Sequence, residues 1–159
     1  LFAHHPVVFI GLMLLFLGFA TAWREHQSPL ILRDALLVSF FLAGLVVLGG
    51  LQQWWLEPML LSLSPDTVFY GAMALTAITD NAAITYLGSL VPGLSQEFKV
   101  ALVSGAVTGG GLTLIANAHN PAGAAILKAY FPDNTIAPTR LLLAAIAPTL
   151  VATWAFRWL

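Results

Sequence analysis

Cysteine is absent from the 159 residues, so disulfides and thiolate metal sites are excluded and the redox compartment leaves no mark on the chain. Charge is scarce as well. Only 8% of residues are Asp, Glu, Lys or Arg, against roughly a quarter in an ordinary soluble domain. A net charge of −1 gives no electrostatic footprint for a nucleic acid. The first apolar run lacks a basic n-region and a small-residue cleavage site, and passes directly into Arg24-Glu25-His26. It therefore reads as a retained span and not as a cleaved leader. No methionine opens the chain, and a piece of a longer protein is expected.

What is abundant is apolar sequence: 59% of residues are hydrophobic and mean hydropathy is +0.88. An all-α integral membrane protein follows. Pro6 to Trp23, Ala35 to Trp55 and Ile136 to Phe156 are runs of roughly 18 to 21 residues, long enough to cross a hydrocarbon core of about 30 Å. Arg140 is the one charge within them. Trp23, Trp54, Trp55, Trp154 and Trp158 flank these runs where indole rings favour the membrane interface. Polar stretches at 24–34, 57–66, 92–99 and 128–140 hold nearly all the charges and most of the prolines, dividing the chain into five apolar blocks. Blocks one, two and five are expected to be unbroken helices.

Blocks three and four are not. Block three, Thr67 to Val91, carries Thr79-Asp80-Asn81 at its centre, residue types that cap helices and turn chains. A break there leaves arms of roughly 13 and 10 residues, about 20 and 15 Å long. They form either a re-entrant hairpin over 66–91 or one interrupted span. Block four, Phe98 to Phe131, contains Gly109-Gly110-Gly111 and then Thr113-Leu-Ile-Ala-Asn117-Ala-His119-Asn120-Pro121. Asn120 as N-cap and Pro121 as first helical residue predict a new helix to about Tyr130. Its positive end would lie near mid-membrane, where non-helical backbone is tolerated only if protein buries it or water reaches it. Lysine and arginine counts divide four to two whichever way block three is threaded, so charge bias does not choose between hairpin and span.

Asp80 is the one acid well inside an apolar block, and a carboxylate at the bilayer centre costs at least about 2.5 kcal/mol on insertion scales. It reads either as an N-cap or as a group that binds a cation and carries a proton. Loss of water favours the neutral acid and a bound sodium ion favours the carboxylate, so one site couples both ions. Asn81, Thr79 and Thr85 offer neutral oxygens to a hard cation, or the threonines simply bond back to their helices. Gly109, Gly110 and Gly111 either let helices approach closely or free the chain to unwind. Asn117 and Asn120 offer amide groups to an ion or satisfy broken backbone, and His119 is a hydrogen-bonded residue or a proton relay.

The segments Ile78 to Gly88 and Gly109 to Gly123 resemble the second half of a transporter in the ion transporter superfamily, which includes sodium/proton antiporters, arsenite-efflux permeases and dicarboxylate symporters. They look most like the sodium/proton antiporter branch. The resemblance implies half of an inverted-repeat transporter in which a hairpin tip beside an unwound helix encloses the substrate. Thr79, Asp80, Asn81 and Thr85 fall at the tip, and Thr113, Asn117 and Asn120 at the unwound segment. Residues 1–57 would supply two scaffold-type helices, and 58–159 a transport region with hairpin 66–91, broken helix 98–131 and final helix 136–158. The implied cargo is Na+ or Li+ against H+, with Asp80 and Asn81 as ligands for a metal ion, Na+ only, and no resident cofactor. The implied partners are the lipid bilayer and the N-terminal half missing from this chain; a homodimer is allowed, and the implied location is a bacterial inner membrane. The dicarboxylate branch carries Ser-Asn-Thr at its tip. Here Thr79-Asp80-Asn81 would repel a dianion, which favours cation exchange.

The same residues admit other functions. An anion permease of the same superfamily, for arsenite or an organic anion, is the first alternative. Asn120-Pro121-Ala122 matches the aquaporin half-helix signature, but in one copy and without the following arginine. An intramembrane hydrolase lacks both the Gly-x-Ser-Gly pattern and a second facing acid, so no enzyme is expected.

Overall fold

A computed structural model describes residues 5–159; residues 1–4, the start of the 1–57 region, lie outside the described residues. Among the described residues the fold is all-helical, with no strand. The α-helices are α1 (Pro6–Ala22), α2 (Leu32–Gly50), α3 (Gln53–Leu61), α4 (Pro65–Ile78), α5 (Asn81–Ser89), α6 (Gln96–Gly109), α7 (Asn120–Leu127) and α8 (Pro138–Trp158), with short 3-10 turns between some of them. The chain divides into two compact units, Leu1–Leu37 and Val38–Leu159, with the boundary inside α2.

In the first unit Ala20 is buried and Gln27 Nε2 donates to its carbonyl at 2.6 Å, closing the turn after α1. The large apolar side chains of α1, among them Leu12, Leu15 and Phe19, are exposed.

In the second unit an apolar core joins Leu56 and Leu60 of α3, Val68 and Ala72 of α4, Val91 and Leu94 of the connection after α5, and Phe98, Leu102 and Ala106 of α6. Leu143, Leu150, Val151 and Trp154 on α8 are exposed, an extent of open apolar surface that water disfavours. Among the described residues α8 is the one single helix long and apolar enough to cross a membrane, and α1 is shorter at 17 residues.

Block two differs from the unbroken helix expected over Ala35 to Trp55: it ends at Gly50, and α3 departs at 78°. Two glycines weaken the helix there. Gln52 then holds the bend, with Nε2 donating to Leu48 O at 3.3 Å and Oε1 accepting from Trp55 Nε1 at 2.7 Å.

Ser64 caps α4 by accepting from Thr67 N at 3.2 Å, with Pro65 next, and Ser95 caps α6 by accepting from Phe98 N at 3.2 Å. Those capped helices then touch through backbone. A side chain at Gly105 would strike Phe69 O and one at Gly109 would strike Met73 O. The Gly-x-x-x-Gly spacing is what admits this approach. Contacts from 69 to 105 and from 73 to 109 both rise along the chain, so α4 and α6 are parallel. Gly88 of α5 abuts Leu102, while Asn81 lies beside Gly110, so α5 runs the other way along α6. The chain therefore reverses at Thr79–Asp80. Antiparallel to α4, α8 carries Arg157, which pairs with Asp66 and lies over the Phe69 ring, 5.4 Å from its centroid.

Candidate functional site

The reversal at Thr79–Asp80 is built from local backbone chemistry. Thr79 closes α4, its amide donating to Leu75 O at 2.9 Å and its hydroxyl to the same carbonyl at 2.8 Å. Asp80 then takes an extended conformation, φ −121° and ψ 141°, and N-caps α5. Its Oδ1 accepts from Ala82 N at 2.7 Å. Asp80 is only 7% exposed. Its Oδ2 has no protein hydrogen bond among the described residues, and no described lysine, arginine or histidine pairs with it.

Against this tip lies the non-helical stretch between α6 and α7. Asn81 N donates to Ala116 O at 3.1 Å, and Thr113 Oγ1 donates to Ala77 O at 2.7 Å. Asn120 Nδ2 donates to Gly110 O and Thr113 O, both at 2.8 Å. The amide thus satisfies the Gly110 carbonyl at the end of α6 and the Thr113 carbonyl in the stretch beyond it. Asp80, Asn81, Thr113 and Asn120 are brought together in this way, with Thr85 one turn along α5, its hydroxyl donating to Asn81 O at 2.9 Å.

The remaining candidates lie apart. Thr79 is exposed. Asn117 Oδ1 takes the His119 backbone N at 3.1 Å and faces His119 Nδ1 at 3.1 Å, a pair on the exposed side. His119, not Asn120, is the N-cap of α7, so Asn120 and Pro121 each stand one position later than expected. The Asn120 side chain reaches back to Gly110 and Thr113 instead of capping its own helix. Gly109 packs on α4, Gly110 closes α6, and only Gly111 is sterically open. Among the described residues no group of three His, Cys, Asp or Glu side chains could hold a metal ion. A cation here would therefore depend on Asp80 with neutral oxygens.

Three contributors were not among the candidates read along the chain. Ala116 acts through its carbonyl alone. Gly105 was legible only as the partner of Gly109 at a spacing of four. Thr76, buried one turn before the tip, looks like any helical threonine.

The sequence profile of the family described as "Putative Na+/H+ antiporter" matches residues 1–159; the chain belongs to that family and is a membrane transport protein. No curated protein and no solved structure matches it significantly. The family match lends no support to the anion-permease or channel alternatives.

Proposed function

We propose that this chain is the C-terminal half of a secondary transporter that exchanges Na+ or Li+ for H+, with Asp80 binding the two ions in alternation. Asp80 carries this reading: it is buried to 7% exposure, has no cationic partner among the described residues and keeps Oδ2 free. A structural cap needs no charge, since asparagine or serine serves as well, and an ionisable group inside a membrane protein is retained for a task. The ends of α4 and α6 contribute negative dipole ends around the tip, and unwound backbone beside it supplies carbonyl oxygens suited to sodium.

In this reading α4 and α5 form a re-entrant hairpin, and α6 with α7 forms a discontinuous helix. Residues 1–57 serve as scaffold-type helices and 58–159 as the transport region. An inverted repeat of the transport region belongs to the missing N-terminal half, the host is a bacterial inner membrane, and the assembly is a homodimer. Asn81, Thr113 and Asn120 shape the site, Thr85 holds the start of α5, and His119, oriented by Asn117, relays protons at its edge.

The test is Na+-driven proton movement in vesicles containing the full-length protein. Wild type should respond, and Asp80→Asn at matched insertion should not. Equal responses would reduce Asp80 to a helix cap.

A further inference from the structure

Thr76 is fully buried, 0% exposed, and among the described residues its Oγ1 has no hydrogen-bond partner. The other buried hydroxyls in this fold bond back to the carbonyl four residues earlier: Ser104 to Val100 O at 2.6 Å, Thr108 to Ser104 O at 2.7 Å and Thr153 to Thr149 O at 2.8 Å. Thr79 and Thr85 do the same on either side of the tip. Thr76 makes no such bond to Ala72, although helical geometry offers it. A dry hydroxyl without a partner costs stability, and each such exception in a native fold calls for a ligand or a task.

Thr76 sits in the last turn of α4, directly before the tip. Thr76 stands on the buried stripe of α4 with Val68, Phe69 and Ala72. It follows Met73, whose carbonyl meets Gly109, and precedes Ala77, whose carbonyl receives Thr113. Four residues on is Asp80 with its free Oδ2. An anionic oxygen and an unpaired neutral oxygen beside the same broken helix suit a dehydrated monovalent cation, which prefers hard oxygen donors.

We propose that Thr76 Oγ1 is a ligand of the cation held by Asp80 and sets the choice between Na+ and Li+. This rests on the exchange reading above. Thr76→Val keeps the shape and removes the oxygen; Thr76→Ser keeps the oxygen. The full-length protein is measured twice: Na+- and Li+-driven proton movement in vesicles, and the rise in Tm on adding NaCl or LiCl in place of choline chloride. Thr76→Val should raise the half-saturating Na+ about tenfold, as expected for one lost bond to a charged group. It should also alter the Na+/Li+ ratio and lose the Na+-induced Tm rise, while Thr76→Ser stays near wild type. Should the valine variant insert poorly, Thr76→Ala carries the same comparison. A valine or alanine variant with wild-type Na+ requirement and wild-type Na+-induced Tm rise overturns the proposal. If Asp80→Asn still abolishes exchange in that case, only the role of Thr76 falls; a wild type without any Na+-driven proton movement overturns the exchange reading and this inference together.

Discussion

At the residue scale Asp80 does two jobs that substitution can separate. Asparagine caps a helix about as well as aspartate, whereas alanine costs about 1 kcal/mol. Asp80→Asn should therefore keep wild-type thermal stability in detergent and lose exchange, while Asp80→Ala should lose both. An Asp80→Asn protein that melts as early as the alanine variant would mean that the charge itself holds the turn. Legibility at this scale follows from where the information lies. Asp80 is visible in the sequence because a charge in an apolar block is expensive wherever the chain goes. Asn120 was visible as a polar residue at a break, but not as the donor to Gly110 and Thr113, because that depends on how the nine residues between Gly110 and Asn120 fold back. Thr76 was invisible: nothing along the chain says which threonine will fail to find a carbonyl.

At the element scale the pairing of α4 with α6 depends on two absent side chains. Gly105→Ala should force the helices apart and cost about 1–3 kcal/mol or more, the usual penalty for overpacking. Gly71, in the same α4, has nothing within reach of an added methyl. Gly71→Ala should therefore gain about 0.5–1 kcal/mol of helix stability. Thermal melts of the two variants check both signs, and a tolerant Gly105 would mean that α4 and α6 are less closely seated than the backbone contact indicates. The interruptions in blocks three and four were legible because Asp-Asn, Gly-Gly-Gly and Asn-Pro compete with helix through their own backbone chemistry. The bend after Gly50 was not. Its two glycines are common enough in apolar helices, and it is the packing of Gly49 against Tyr86 and Leu87, 37 residues on, that goes with the turn.

At the scale of the whole molecule the sequence established class and membrane character through composition, since apolar surface of this extent has no aqueous solution. That block three reverses on itself became visible only through its contacts with α6. Both outer ends of the reversal lie toward the start of α6, and this predicts the outcome of a labelling experiment that the cysteine-free chain makes clean. Ser64→Cys and Ser95→Cys, introduced singly, should react with a membrane-impermeant maleimide from the same side of intact vesicles. Reaction from opposite sides would make block three a crossing and would remove the re-entrant hairpin. The hydrogen bond from Asn81 N to Ala116 O has a further consequence in time. The first amide of a helix ordinarily trades its hydrogen with water freely, yet this one is covered by a residue 35 positions away. Its deuterium uptake therefore keeps a record of how often the turn and the unwound strand come apart, a clock for the separation that ion release would demand.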